Sequence, residues 1–400
     1  MQVQIIGLGY IGLPTAAVMG SLKISVRGVD LQEEVVSAVN RGEVHVLEPG
    51  LEALVSASVS DGSLCASSIV DEADVHLVVV PTPFKCNHEP DISFVEQATS
   101  QLIPILREGD TFIIESTSPI GTTERMARFI FRERPELRDK IYVAYCPERV
   151  LPGYVLHELV HNDRVIGGIN SESTQKACEF YKSFVRGELH QTNSRTAEMC
   201  KLIENSSRDV QIAFANELSI ICDRADINVW ELIALANKHP RVNILNPGAG
   251  VGGHCIAVDP YFIVSDYPQE SRIIRNSREV NDYKAFWCAE KIRNSMLEFE
   301  MHNGRKAVVA LMGLAFKPDI DDLRESPAEF IAQKVMQAEM GDILVVEPNI
   351  DKHDMYNLTD YRDAYCQSDI VAFLVGHKEF IKLEHKDGKE ILDFVGVLEG

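Results

Sequence analysis

No run of apolar residues in this chain approaches the roughly 18 to 20 that a helix needs to cross a bilayer, so the sequence offers no transmembrane segment. The apolar start, residues 3–8, lacks a basic leader and meets glycines where a signal peptide would continue. It reads as a strand, and a cytoplasmic protein is expected. Cations are scarce as well: 39 Lys and Arg stand against 60 Asp and Glu, a net charge of −21. That balance excludes the broad basic face on which nucleic-acid binding depends. A small phosphorylated ligand stays open, because a few local cations or backbone N–H groups suffice for one. CxxC pairs are missing too. The nine cysteines are scattered, a pattern of buried reduced thiols with room for one reactive member, and no metal site is read from them. Short-period repeats and low-complexity tracts are absent.

What is present is an ordinary globular composition over 400 residues, 45% hydrophobic and 25% charged, too long for one core and suited to two or three domains. Up to about residue 190, strand and helix signals alternate. Segments 3–6, 26–30, 76–80, 111–114 and 142–145 read as strands and 13–22 as a helix, which predicts a parallel sheet with helical crossovers. From 194 the pattern changes. Residues 197–225 contain neither Gly nor Pro and repeat apolar side chains at helical spacing, as a helix or helix pair too long for a crossover. Another helical run covers 271–299. Strand-helix-strand order returns with 308–312, 327–340, 343–346 and 370–375. Residues 351–365 read as irregular, 382–389 as a solvated charged loop, and 393–396 as a last strand and turn. The fold class is therefore α/β: two Rossmann-like doubly wound domains, 1–193 and 301–400, joined by a long-helix central domain, 194–300.

Gly7, Gly9 and Gly12, with Leu8, Tyr10 and Ile11 between them, have G-x-G-x-x-G spacing between a strand and a helix. Such glycines permit a tight turn, let a pyrophosphate approach the backbone and let helix pack on strand. A bland glycine turn has the same spacing. Asp30, 18 residues beyond Gly12 at the end of the next strand, stands where an acid holds the adenosine ribose and repels a 2′-phosphate. This favours NAD over NADP, with Arg27 the one nearby residue that argues the other way.

Gly248, Gly250, Gly252 and Gly253 lead into His254 and Cys255. The following residues, 256–259, read as a turn or short helix whose N–H groups would lower a thiol pKa, with Asp259 on the same face as Cys255. A buried structural thiol in a turn fits the spacing equally. Lys201 and Asn205 lie one helical turn apart and share a face. With Glu198 and Glu204 nearby, a solvated charged face is the ordinary explanation.

These segments, taken together, resemble the UDP-glucose/GDP-mannose dehydrogenase family over essentially the whole chain. Carrying the resemblance are Val80-Pro81-Thr82-Pro83, Glu115-Ser116-Thr117-Ser118-Pro119-Ile120-Gly121, Tyr145-Cys146-Pro147-Glu148-Arg149 and Glu198-Met199-Cys200-Lys201-Leu202-Ile203-Glu204-Asn205. The 252–259 segment, Gly313-Leu314-Ala315-Phe316-Lys317-Pro318 and Leu323-Arg324-Glu325-Ser326-Pro327 complete it. The resemblance implies an NAD-dependent enzyme that oxidises the sixth carbon of a UDP-sugar from alcohol to acid, for surface polysaccharide biosynthesis. It makes Cys255 the nucleophile, Lys201, Asn205 and Asp259 its polar support, and Thr117 and Glu148 the groups handling water and the acyl intermediate.

Cofactor contacts are implied for Gly7, Gly9, Tyr10, Ile11, Gly12, Asp30, Pro81, Thr82, Thr117 and Arg324. Substrate contacts are implied for Glu148, Arg149, Val150, Lys201, Asn205, Gly252, His254, Phe316 and Lys317. Arg241 matches an arginine that reaches a neighbouring subunit's substrate site, which implies a homodimer or larger homo-oligomer. His254 before the cysteine, Ala257-Val258 after it, and the 148–153 and 193–198 runs are similar to the branch acting on UDP-N-acetylhexosamines of manno configuration. The gluco epimer and UDP-glucose are the alternatives. Two rivals of other classes remain: a single-oxidation hydroxy-acid dehydrogenase, which also uses a Lys and an Asn one turn apart, and a nucleotide-sugar binder with a decayed site.

Overall fold

The computed structural model describes residues 1–85, 89–151, 153–253, 255–383 and 388–399. The chain divides into two compact units, Met1–Glu204 and Asn205–Gly400.

The first unit is built on eight strands: β1 (Gln2–Ile6), β2 (Ser25–Val29), β3 (Leu64–Ser67), β4 (Val75–Val78), β5 (Thr111–Ile114), β6 (Tyr142–Tyr145), β7 (Arg164–Gly168) and β8 (Leu189–Asn193). Their order is β3-β2-β1-β4-β5-β6-β7-β8. The first six are all parallel in the 3-2-1-4-5-6 arrangement of dinucleotide-binding sheets. β7 reverses against β6, and β8 then runs parallel to β7. Side chains alternate between two cores because successive residues of a strand point to opposite faces. Ile5 and Ile113 join one cluster with Leu8, Leu13 and Leu77. Ile6, Phe112 and Ile114 join the other with Val78, Val143 and Tyr145. β4 and β5 are buried at every position, as strands covered by helices on both faces must be. The expected strand 76–80 stops at Val78, leaving Val79 and Val80 half-buried in the loop that follows.

A single unbroken helix of 32 residues, Ser194–Ala225, carries the chain from the first unit into the second. With no Gly or Pro to interrupt it, the helix spans about 48 Å at 1.5 Å per residue. A second 32-residue helix, Arg272–Asn303, ends at Gly304, whose φ of +67° closes it in the left-handed conformation. In the second unit β9 (Val308–Met312), β10 (Asp342–Val346), β11 (Ile370–Phe373) and β12 (Glu390–Asp393) form a parallel sheet in the order β10-β9-β11-β12. The helix expected over 327–340 is Pro327–Met336, capped by the Ser326 hydroxyl. Part of the stretch expected to be irregular forms the helix Tyr361–Gln367, because Asp360 caps the N–H groups of Arg362 and Asp363. The last strand ends at Asp393 instead of beginning there. Among the described residues no helix is long and apolar enough to cross a membrane. Part of the expected charged loop over 382–389 lies outside the described residues.

Candidate active site

In the first unit the predicted cofactor residues gather beyond the C-terminal ends of parallel strands, where open α/β sheets bind their ligands. β1 ends at Ile6 and the chain turns at Gly7, whose φ of +97° is left-handed. A Cβ on Gly7 would stand 2.3 Å from the Val79 carbonyl oxygen, and one on Gly12 would stand 1.8 Å from the Gly7 carbonyl oxygen. Both glycines are therefore demanded by the fold. A Cβ on Gly9 would meet nothing within 4 Å. Its open face, just before the helix Gly12–Ser21, is a cradle of the kind a pyrophosphate fills. Tyr10 is exposed beside it and Ile11 is half-buried. Past β2, the Asp30 carboxylate accepts the Leu8 N–H (3.0 Å) and the Gln32 N–H (3.0 Å), which fixes it beside the glycine turn. Arg27 is engaged elsewhere, in an ion pair with Asp71 at 2.9 Å. These residues fit an NAD adenosine and pyrophosphate.

Pro81 and Thr82 follow β4, and the Val80 N–H donates to Ser116 Oγ (2.9 Å), tying this segment to the one carrying the half-buried Thr117. Glu148 lies just beyond β6 and is buried. Its Oε2 accepts from Arg164 Nη1 (2.7 Å) and its Oε1 from the Arg149 N–H (2.6 Å). Arg149 in turn makes a two-pronged pair with Glu204, 3.1 Å from Nε and 2.7 Å from Nη2, while Val150 is half-buried.

Glu198 is a correction to the solvated face expected of it. It is fully buried and accepts the N–H groups of Gly121 (2.5 Å) and Thr123 (2.8 Å) and the Thr123 hydroxyl (2.6 Å). It thus caps the helix Thr122–Glu133 from a distant helix. Burial pushes its carboxyl up, against the pull of these donors. Lys201, one turn further along the same helix, is half-buried.

In the second unit Asn205, Cys255, Asp259, Gly252, Phe316 and Arg324 belong to one connected set of elements. Asn205 Nδ2 donates to Asp259 Oδ2 (2.5 Å), and Asp259, itself buried, opens the helix Asp259–Asp266. Cys255 sits in the turn before that helix, its carbonyl accepting the N–H groups of Val258 (3.0 Å) and Asp259 (2.9 Å). The thiol residue is half-buried, unlike Cys146, Cys178, Cys222 and Cys288, which are core residues; Cys65 and Cys366 are exposed, so buried thiols are not the general rule expected.

The glycine loop is held closely. A Cβ on Gly252 would lie 2.4 Å from the Glu325 carbonyl oxygen and 2.8 Å from Phe316 Cβ, and one on Gly253 would lie 2.9 Å from the Phe316 ring. The Gly253 N–H donates to the Arg324 carbonyl (3.0 Å). Glu325, at φ +51°, takes a left-handed conformation unusual for a residue with a Cβ. The Arg324 guanidinium is gripped by Asp322, 2.9 Å from Nε and 2.6 Å from Nη2. Lys317 and Arg241 are exposed, and His254 lies outside the described residues.

Two supports escaped the sequence reading. Asn216 Oδ1 accepts the Gly248 N–H (2.9 Å), Asn216 Nδ2 donates to Asn281 (2.9 Å), and Asn281 and Arg278 both donate to the buried Asp209 (2.8 and 2.7 Å). This polar spine anchors the glycine loop to both long helices. Its signal was a pair of polar residues seven apart, Asp209 and Asn216, on a face otherwise buried. Past β10, Glu347 accepts the N–H groups of Leu314 (2.8 Å) and Ala315 (2.9 Å) and is paired with His377 (3.1 Å). It stands after the second strand of its unit as Asp30 does in the first. Burial works to raise its carboxyl, but the His377 and backbone hydrogen bonds outweigh this and hold it down to about 2.

The chain matches the UDP-glucose/GDP-mannose dehydrogenase family in all three of its parts, in order: the NAD binding domain over residues 1–185, the central domain over 195–283 and the UDP binding domain over 310–399. It is 52% identical to a UDP-N-acetyl-D-mannosamine dehydrogenase of Campylobacter jejuni, covering 96% of this chain and 97% of the relative. It is 48% identical to an NDP-N-acetyl-D-galactosaminuronic acid dehydrogenase of Ralstonia nicotianae, covering 96% and 92%. The solved UDP-D-ManNAc dehydrogenase of Pyrococcus horikoshii superposes with a TM-score of 0.88 at 34% identity, covering 99% of this chain and 96% of that one. A glycine turn opened for a dinucleotide, a half-buried thiol closing a glycine loop and full-length likeness of this order leave one assignment: the chain belongs to the UDP-glucose/GDP-mannose dehydrogenase family, whose members are NAD-dependent dehydrogenases of nucleotide sugars.

Proposed function

We propose that this chain oxidises the sixth carbon of UDP-N-acetyl-D-mannosamine from alcohol to carboxylic acid, consuming two NAD per sugar and yielding a uronic acid for polysaccharide assembly. The sugar rests on relatives about half identical over nearly their whole length that bear its name. The mechanism rests on Cys255, half-buried one turn before an aspartate that Asn205 holds. NAD, when bound, accepts the hydride in each oxidation. An aldehyde cannot give up a second hydride directly, since its carbon must first become tetrahedral. The Cys255 thiolate adds to that carbon to give a thiohemiacetal, and hydride loss then leaves a thioester. Water adds its oxygen to the acyl carbon, the C–S bond breaks and the thiolate regains a proton. Lys201 and Asn205 stabilise the alkoxides, help typically worth about 10² to 10³ in rate. Asp259, Glu148 and Thr117 move the protons and place the water.

Asp30, Gly9 and their neighbours hold the adenosine end, and Arg149, Val150, Gly252, His254, Phe316 and Lys317 serve the sugar nucleotide. The division of labour follows the domains 1–193, 194–300 and 301–400. The active species is a homodimer in which Arg241 serves the neighbouring subunit, and a reducing cytoplasm suits the exposed thiols of Cys65 and Cys366.

Purified protein given NAD and UDP-linked N-acetylmannosamine, N-acetylglucosamine, N-acetylgalactosamine and glucose should form two NADH per sugar with the first. Cys255→Ser should form no acid. One NADH per sugar, or wild-type acid formation by the Cys255 variant, would remove the thioester route. The galacto sugar is the second reading, favoured by the relative from Ralstonia, and preferential turnover of it would displace the manno assignment.

A further inference from the structure

Behind Glu148 lies a charge cluster that none of the roles above employs. Arg164 opens β7, the strand that reverses against β6, and its side chain is 2% exposed. One arm, Nη1, donates to Glu148; the other, Nη2, donates to the Leu159 carbonyl (3.1 Å). The guanidinium lies 5.6 Å from the ring of Tyr181, whose hydroxyl donates to Glu115 Oε1 (2.5 Å). Glu115 follows β5 and opens the segment that carries Thr117. It is 3% exposed, and its Oε2 has no hydrogen-bond partner among the described residues. Cys146, fully buried beside them, stays a neutral thiol, pushed up to about 12 by burial. The buried cation is thus paired with Glu148 and lies against the Tyr181 ring whose hydroxyl holds Glu115, and of the two buried carboxylates only Glu148 has both oxygens satisfied.

We infer that Arg164 is a positioning residue, holding the Glu148 carboxylate in place for its work on water, and that Glu115 competes with Glu148 for the same guanidinium. While Glu115 keeps its proton, the cation is undivided and Glu148 is held firmly. When Glu115 ionises, the cation is shared and the hold loosens. Burial pushes the Glu115 carboxyl up to about 7, against Arg164 and the Tyr181 hydroxyl, with the charge on Glu148 adding to the rise. The competition therefore falls within the range in which the enzyme can be assayed. The groups facing Glu115 from the packed elements are Arg164 of β7, Glu148 and Cys146 after β6, and Tyr181 of the helix Ser171–Tyr181.

This inference rests on the reading of Glu148 as the water-handling group. That reading fails separately if Glu148→Gln forms acid at the wild-type rate. For Arg164 itself, full-length Arg164→Gln and Arg164→Lys are compared in steady-state acid formation and by intact mass after a quench, which detects sugar acyl groups held on protein. Arg164→Gln should lose about 10² in kcat, the scale of a misplaced catalytic group, with KM for NAD unchanged and acylated protein accumulating. Arg164→Lys should recover part of the loss. Equal, wild-type-like rates in both, with no acyl accumulation, overturn the proposal. Because a buried Gln at 164 can prevent folding, Glu115→Gln provides an independent arm. The ratio of its kcat to that of wild type should rise severalfold between pH 6 and 8.5, since the competing charge is gone. A ratio that stays flat overturns the proposal whatever the Arg164 variants do.

Discussion

A methyl group placed on Gly12 would overlap the carbonyl oxygen of Gly7, whereas one on Gly9 would stand in open space, although both glycines belong to the same turn. Gly12→Ala must push backbone apart where helix meets strand, an overpacking cost of about 1 to 3 kcal/mol, read as a fall in the urea midpoint. Gly9→Ala should melt like wild type. Its methyl group instead occupies the cradle, so KM for NAD should rise at least about tenfold, the equivalent of about 1.4 kcal/mol, with KM for the sugar unchanged. A Gly9 variant with wild-type NAD kinetics would show that the dinucleotide lies elsewhere. The two glycines look alike in sequence because the spacing motif records a turn without saying which residue a ligand approaches. Glu198 was misread for a related reason. Its partners, Gly121 and Thr123, are far away in the chain, and no local periodicity marks a carboxylate that caps another helix.

Strands flanked by helices on both faces were legible as elements, since burial on two sides forces a short apolar run such as Phe112-Ile113-Ile114. β3 and β8 were not. β3 is four residues long with a single buried side chain, and β8, Leu189-His190-Gln191-Thr192-Asn193, is largely exposed and has no apolar alternation to read. β7 hid for a different reason, since it begins with a buried arginine and ends in two glycines, and a Cβ on Gly167 would lie 2.2 Å from the Asn193 carbonyl oxygen. The Cys255 loop was legible from its density of glycines, but the Asn216–Asn281–Asp209 spine that anchors it joins residues on two helices and has no contiguous signature.

The helix Ser194–Ala225 also exposes apolar side chains. Phe214, Leu218 and Ile221 fall at i, i+4 and i+7, and Phe214 and Ile221 are each 53% exposed. This apolar stripe is one face on which the proposed homodimer contact can be tested. If a second copy covers it, the Phe214→Asp, Ile221→Asp double variant should sediment as a monomer at micromolar concentration while wild type sediments as a dimer or larger. Identical sedimentation of the two would place the subunit contact elsewhere.

For the whole molecule, two buried carboxylates make stability respond to pH in opposite directions. Stability rises with pH wherever the unfolded chain binds more protons than the native one, and falls where it binds fewer. Glu347 is held at about 2 in the native state against an ordinary 4.5, so the unfolded chain takes up its proton first as pH falls. Its contribution is fully present above pH 4.5 and disappears as pH drops toward 2. Glu115 is raised to about 7, so the native state retains a proton that the unfolded chain has released above 4.5. Stability is then lost as pH climbs from 4.5 through 7, because a charge must be formed in a buried site. Urea midpoints measured from pH 2.5 to 8 separate the two. Wild type should exceed Glu347→Gln at neutral pH, with the gap closing below 4.5. Glu115→Gln should gain on wild type steadily between 4.5 and 7, since the amide accepts the Tyr181 hydroxyl and never ionises. The first gap closes on acidification and the second opens on alkalinisation, so a general effect of the net charge of −21, which acts on wild type and variants nearly alike, cannot imitate both. Two flat difference curves would mean that neither carboxylate has the native-state environment described for it.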